Sequence, residues 1–482
     1  MSLAFKSVSG FFWTLADIFL NKATYFLATL ILARLLGPSE FGLLGMIMLF
    51  FTIGTTLVDS GLSVSLIKTT NPNQVEYSTV FYMNLIMSLL AYLLIFFLAP
   101  LIAKFYRQFI LIQLIRVYCL GFLLTALRMV PQARLQKEMN FKKITLLNIP
   151  GNVIGLIVGI WMAKNEYKVW SIVGLYLSNQ IIATLFYWVF VRWRPNFSLS
   201  VDKMKSHWSF GYKLMLSAQL NTLFDNIYNI LIGKFYSLKD LGYYERAYTL
   251  NNYPVSVLSG ILGKVSLPLF SQITGNEQEL YKVYRKTILL TFYISIPLMI
   301  GSLIVAEPLF NFFLGTQWLP AVPFFKILCL AYMLYPVHSL NINLLSIFGR
   351  SDLFLKLEII KKILIVVLVF FANYFGIYGL VWSSVLASYL SLFINTYYSG
   401  KLVSYSTLQQ VKDMIPIILY SGIMAIFMFI VLRLLSAEPP LFQLVITIVL
   451  GILIYFTVSW YRRSESLFII FRLFKIQSKW FQ

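Results

Sequence analysis

Apolar runs of about twenty residues recur from one end of the chain to the other, separated by short clusters of Lys, Arg, Asn and Pro. A helix rises 1.5 Å per residue, so roughly twenty apolar residues cross the 30 Å hydrocarbon core of a bilayer. The pattern predicts fourteen helices, over 10–33, 41–66, 78–100, 109–131, 144–163, 169–191, 210–233, 243–270, 286–307, 321–347, 354–374, 376–398, 414–434 and 440–461. The first run holds Asp17, Asn21 and Lys22. It is too long and too polar for the apolar core of a cleaved signal peptide, and reads as a membrane helix.

Two segments 200 residues apart carry nearly the same pattern of residue types. Ile31–Leu43 reads ILARLLGPSEFGL and Leu231–Tyr243 reads LIGKFYSLKDLGY, without a gap. Arg34 falls on Lys234, Glu40 on Asp240 and Gly42 on Gly242. Further on, Val64-Ser65-Leu66 matches Val265-Ser266-Leu267. At an offset of 210, Ile115–Leu120 falls on Phe325–Leu330, which pairs Arg116 with Lys326, Cys119 with Cys329 and, further along, Arg128 with His338. A repeat of this length sets the architecture. Six helices per copy return the chain to its starting side, so the copies are expected to be parallel lobes that rock about a midplane cavity. The expected fold is all-α and polytopic. It comprises an N-lobe (1–205), a C-lobe (206–405), a terminal helix pair (406–461) and a basic tail (462–482). The tail reads either as an amphipathic helix on the inner leaflet or as a plain anchor.

Composition supports the membrane reading. The chain is 59% hydrophobic and 12% charged, with mean hydropathy +0.78; soluble proteins carry about 25% charged residues. The net charge of +21 is spread over short loops, which points to topology and anionic headgroups rather than nucleic acid. With both termini inside, the cytoplasmic loops collect Arg128, Arg134, Lys137, Lys142, Lys143, Arg192, Arg194, Lys203, Lys205, Lys213, Lys282, Arg285 and Lys286. The opposite loops hold few cations, so both termini are expected in the cytoplasm. The longest soluble segment, Arg192–Ser209, is too short to fold alone. The two cysteines lie in apolar runs and read as buried thiols. Nucleotide-binding, zinc-protease, CxxC and GxSxG motifs are missing, and His207 and His338 are too few for a metal site. No cofactor, metal or catalytic residue is expected.

Charges inside membrane helices cost about 2.5–3.5 kcal/mol each on insertion scales, so those retained mark candidate sites. Asp17, Asn21, Thr24 and Tyr25 share one helix face, and Ser217, Asn221, Asp225 and Tyr228 repeat the spacing. These stripes either line a shared cavity or hydrogen-bond within each lobe. Arg116 and Lys326 either snorkel to the outer headgroups or line the cavity. With Arg128 and His338, which sit twelve residues further in near the cytoplasmic end, and with Lys22 and Lys264, they form a candidate cationic path for an anionic head group. Asp17 and Asp225 either pair with such cations or titrate as coupling groups.

The motifs SGFFWTL (Ser9–Leu15), ARLLGPSEFGLL (Ala33–Leu44), DSGLSVSLI (Asp59–Ile67) and LGYYERAYTL (Leu241–Leu250) recur in known order. They are followed by SLPLFSQI (Ser266–Ile273), FFLGTQWLPAVPFFKILCL (Phe312–Leu330) and FGRSDLFLK (Phe348–Lys356). The ordered set resembles Wzx-type polysaccharide exporters, nearest the colanic-acid and teichuronic-acid branch. Their superfamily also holds MATE multidrug exporters and the peptidoglycan lipid flippase. The resemblance implies a fourteen-helix flippase of the bacterial inner membrane. Its cargo would be undecaprenyl-diphosphate-linked oligosaccharide units for O-antigen, capsule or exopolysaccharide. Polymerase and chain-length proteins of the same pathway are its candidate partners. The head group maps onto Lys22, Arg116, Lys264 and Lys326, and the lipid tail onto helices 414–461. The alternatives are a multidrug exporter, which would favour cavity acids, and a membrane polymerase, which would need a large outer loop.

Overall fold

The computed structural model describes residue 24 and residues 26–473; at 213, 214, 264, 265, 267, 268, 351, 472 and 473 it describes the backbone alone. The chain divides into two units, Met1–Gly242 and Tyr243–Gln482. The first holds α1 (Phe26–Leu35), α2 (Pro38–Asp59), α3 (Leu62–Lys68), α4 (Gln74–Tyr106) and α5 (Ile110–Tyr118). It continues with α6 (Gly121–Lys137), α7 (Phe141–Lys164), α8 (Trp170–Phe190), α9 (Val201–Asp225) and α10 (Ile227–Phe235). α11 (Leu238–Gln272) starts in the first unit and runs into the second. There follow α12 (Glu277–Ile304), α13 (Ala306–Phe313), α14 (Val322–Tyr332), α15 (Tyr335–Ile347) and α16 (Ser351–Ala372). The last are α17 (Gly376–Val403), α18 (Thr407–Leu434), α19 (Pro440–Tyr461) and α20 (Glu465–Leu473). Among the described residues, ten stretches are long and apolar enough to cross a membrane. The chain is an all-helical, multi-pass membrane protein.

Several expected single helices are broken. The 41–66 run divides into α2 and α3 because Ser60 and Gly61 both take left-handed backbone, with φ of 43° and 67°. The 109–131 run divides at Cys119–Leu120, and 321–347 divides at Met333–Leu334, just ahead of Pro336. The 210–233 run divides at Asn226, and its first piece, α9, starts earlier than expected, at Val201. Ser200 caps it, its hydroxyl accepting the Lys203 N–H. Much of the expected loop Arg192–Ser209 is therefore helical.

The repeat appears as identical local structure. α1 stops at Leu35, two residues intervene, and α2 starts at Pro38; α10 stops at Phe235, two residues intervene, and α11 starts at Leu238. Pro38 begins α2 at a position where its missing N–H costs nothing. Ser237 and Asp240 cap α11 reciprocally, with the Asp240 N–H donating to Ser237 Oγ at 3.1 Å and the Ser237 N–H to Asp240 Oδ2 at 3.2 Å. Within the first unit the matched glycines meet. A Cβ on Gly42 would lie 2.1 Å from the Leu238 carbonyl oxygen, and one on Gly242 would lie 1.9 Å from that of Pro38. α7 and α8 approach the same way. Added Cβ atoms at Gly151 and Gly155 would lie 2.8 Å from the carbonyls of Asn179 and Leu175. Small residues at a four-residue spacing allow backbones this close.

Candidate functional site

Three expected site residues, Asp17, Asn21 and Lys22, lie outside the described residues, as does the Lys264 side chain. Asn221 and Asp225 stand one turn apart on α9, Asn221 half-buried and Asp225 exposed, and both are engaged in interactions. Arg116 lies against α4. Its guanidinium sits 4.0 Å from the Phe96 ring centroid and its Nε donates to the Phe96 carbonyl at 3.4 Å. Cation–π contact and burial of its stem hold it there. Its repeat counterpart Lys326, on α14, pairs instead with Glu307 of α13 at 3.7 Å, with 39% and 69% of the side chains exposed. An exposed pair of this kind contributes little stability. Cys119 and Cys329 are buried free thiols.

The first unit holds a polar cluster that the sequence reading did not single out. α9 runs along α2 and α3, with Gln219 Nε2 donating to the Ile53 carbonyl at 2.8 Å. At its start, His207 is 3% exposed and joins three elements. Ser65 Oγ lies 2.7 Å from His207 Nδ1, and Glu76 Oε1 lies 3.2 Å from His207 Nε2. Glu76 also pairs with Lys203 at 3.4 Å. A carboxylate accepts only, so Nε2 carries the proton and Ser65 donates to Nδ1. Burial pushes the His207 pKa below its usual value, against the opposing pull of Glu76. The imidazole is a neutral linchpin. The adjacent core is built from Leu62, Leu66, Val80, Phe81, Tyr187 and Trp193. The signal in the sequence was an acid, Glu76, two residues ahead of the expected 78–100 helix.

The second unit buries its own polar set. Tyr284 donates to Asn341 Oδ1 at 2.9 Å, and Ser399 donates to the same oxygen. His338 lies 3.2 Å from Ser388 Oγ and 3.4 Å from Asn395 Nδ2. Since Ser388 gives its own proton to the Ala331 carbonyl at 2.8 Å, His338 also carries its proton on Nε2. Glu358 and Lys361 form an ion pair on α16, 22% and 13% exposed. The i,i+3 spacing of an acid and a base inside an apolar run was the readable signal. In the first third of α12, Arg285 forms two bonds to Asp413, at 2.8 and 3.0 Å, and two to Glu465, both at 3.0 Å. It thereby ties α20 to α12 and α18 by paired forks. Among the described residues no group of three His, Cys, Asp or Glu side chains could hold a metal ion.

Chemically, each unit buries a polar hydrogen-bonding network among its helices; in the second unit Lys326, Lys361 and Arg285 are paired with carboxylates, and in the first Arg116 lies over Phe96.

Comparison with known proteins agrees. The family described as polysaccharide biosynthesis protein matches residues 31–323. The teichuronic acid biosynthesis protein TuaB of Bacillus subtilis is 27% identical over 302 residues, 62% of each chain. The lipopolysaccharide biosynthesis protein WzxC of Escherichia coli is 24% identical over 368 residues, covering 76% of this chain and 75% of that protein. The chain thus spans under two thirds of the first relative's length. Among solved structures, the lipid II flippase MurJ in an inward closed conformation superposes with TM-score 0.71 at 18% identity, covering 92% of this chain and 99% of MurJ. An inward-facing MATE multidrug transporter superposes with TM-score 0.62 at 17% identity, covering 80% and 96%. At these identities the structural likeness speaks for the fold alone. With the family match covering more than half the sequence, the chain belongs to the polysaccharide biosynthesis family of Wzx-type exporters, on the fold shared by MurJ and MATE proteins.

Proposed function

We propose that this chain flips undecaprenyl-diphosphate-linked oligosaccharide repeat units across the bacterial cytoplasmic membrane by alternating access. The family match over residues 31–323 carries this reading. It is supported by the relatives named for teichuronic acid and lipopolysaccharide biosynthesis. In the proposed arrangement, two parallel six-helix lobes (1–205 and 206–405) move about a midplane cavity, with helices 406–461 beside them and both termini in the cytoplasm. The cations Lys22, Arg116, Lys264 and Lys326 attract the diphosphate, Asn21 and Asn221 hydrogen-bond the sugars, and Asp17 and Asp225 couple an ion. A diphosphate needs such a path because burying it unpaired is prohibitive.

The test is a deletion strain. Single lipid-linked repeat units should accumulate on the cytoplasmic face and return to normal on complementation. Units that reach the periplasm unpolymerised would refute transport and favour a polymerase. Intact repeat-unit export with lost resistance to cationic drugs would favour the multidrug reading.

A further inference from the structure

The candidate span Thr316–Ile347 breaks at Met333–Leu334, and the equivalent span of the first unit breaks at Cys119–Leu120. Interrupted helices at corresponding positions of two repeats mark solute sites in membrane transporters. The helix after the second break, α15, has two unlike faces. On one, Val337, Leu340 and Leu344 are fully buried. On the other, Tyr335, Ser339, Asn343 and Ser346 follow one another at the spacings that share a helix face. Tyr335 and Ser346 are exposed, and Ser339 and Asn343 are half-buried. Ile342, also half-buried, is the apolar member of this strip. Contact with lipid does not explain such a face. Where α16 is exposed it shows Leu355, Ile359, Ile363, Val366 and Phe370, as hydrocarbon requires, because polar groups without a partner are costly there. A tyrosine in a membrane helix belongs near the headgroups. Tyr335 instead stands about 18 Å from the Ile347 end, near the middle of a core roughly 30 Å thick. The strip therefore faces water or a polar solute.

The tyrosine at the head of the strip is set for a flat solute. Tyr244 and Tyr248 stack at 6.1 Å, Tyr248 meets Tyr332 edge-on at 6.0 Å, and Tyr332 stacks on Tyr335 at 5.8 Å with planes 22° apart. This run of rings begins at the buried Tyr244 and ends at Tyr335, which is 49% exposed. Packing fixes the orientation of Tyr335, so a solute that settles against it orders little side-chain freedom. An aromatic ring presents a negative face. The C–H groups on the flat side of a pyranose carry the complementary partial positive charge. Sugar hydroxyls need donors and acceptors alongside, which Ser339, Asn343 and Ser346 carry. From Tyr335 to Ser346 the strip runs about 16 Å, longer than one sugar ring. No charged residue belongs to this face of α15, so it suits a neutral solute rather than an anion.

We propose that this face of α15 binds the saccharide part of the cargo: Tyr335 stacks on a sugar ring, and Ser339, Asn343 and Ser346 hydrogen-bond its hydroxyls and those of the next sugars. This role presupposes the export of lipid-linked saccharide proposed above. At the repeat offset of 210 the first unit carries Thr125, Met129, Ala133 and Gln136, so the strip belongs to the second unit alone.

The test uses the purified full-length chain in lipid nanodiscs. The probe is the set of oligosaccharides released by partial acid hydrolysis of the host's own surface polysaccharide. Saturation-transfer NMR reads which sugar protons touch the protein. The wild type and Tyr335→Phe should both saturate the ring protons of the sugar. Tyr335→Leu keeps apolar bulk but loses the aromatic ring, and should bind about three- to tenfold more weakly. Ser339→Ala/Asn343→Ala should also bind about three- to tenfold more weakly. Tyr374→Leu, at a 77% exposed tyrosine between α16 and α17, should bind as the wild type does. A wild type that binds no sugar overturns the strip, as does a folded Tyr335→Leu that binds equally well. If Tyr335→Leu fails to fold, the double variant decides by the same comparison. In the deletion strain, Tyr335→Leu should restore export to well below the wild-type level at equal protein level. Accumulated units with full rescue by Tyr335→Leu would remove the strip and leave transport standing. A deletion strain that accumulates no units would remove transport, and the binding comparison then decides the strip by itself.

Discussion

Gly242→Ala adds one methyl group at the point where the matched repeat motifs meet. The new carbon would lie 1.9 Å from the Pro38 carbonyl oxygen and 3.2 Å from the Gly42 nitrogen. Ordinary contact begins near 3.4 Å, so α11 and α2 must part by about 1.5 Å. Both obstructing atoms are backbone, so no side chain can rotate out of the way. Overpacking of this kind costs about 1–3 kcal/mol. Parting the helices also weakens close Cα–H···O contacts, each contributing about 0.5–1 kcal/mol. Gly260 and Gly422 lie inside α11 and α18, where an added methyl carbon would meet nothing within 4 Å. There the same change should stabilise by about 0.5–1 kcal/mol through helix propensity. The assay is equilibrium unfolding in mixed micelles, followed by tryptophan fluorescence. Gly242→Ala and Gly42→Ala should lose stability, and Gly260→Ala and Gly422→Ala should hold or gain it. The double variant Gly42→Ala/Gly242→Ala should lose less than the sum, since the helices part only once. A Gly242→Ala protein as stable as Gly260→Ala would refute the packing reasoning.

His207 is held neutral in the fold, whereas the unfolded chain protonates near 6.5. Its contribution is therefore present above about pH 6.5 and lost as the pH falls below it. Thermal midpoints between pH 7.5 and 5.5 should drop further for the wild type than for His207→Gln; parallel curves would count against the linchpin. Arg285→Ala leaves Asp413 and Glu465 without their shared cation, and limited proteolysis should then cut between residues 462 and 473 several-fold faster. Unchanged cleavage would show that apolar contacts alone dock α20. Export by the Arg116→Gln/Lys326→Gln double variant should fall below that of either single variant. Normal surface polysaccharide at normal protein level would remove both cations from the proposed path.

Membrane class, helix content and internal duplication were legible without coordinates because they rest on local properties. Apolar runs of bilayer length have few alternatives in lipid, and a duplicated segment folds alike twice, as the helix–break–helix at 35–38 and 235–238 does. The buried state of Cys119 and Cys329 followed from their apolar surroundings. The breaks at Ser60–Gly61 and Asn226 were hidden, because a continuous apolar run carries no mark of where the backbone turns inside it. Side-chain partnership was hidden more deeply. Arg116 and Lys326 occupy equivalent positions, yet one lies over Phe96 and the other beside Glu307. His207 reads as a residue in a basic loop until α9 brings it against Ser65 and Glu76, over a hundred positions away in sequence. Periodicity assigns a residue to a face of its own helix. Which atoms lie across from that face depends on how separate helices pack, and tertiary structure alone decided that for His207 and Arg285.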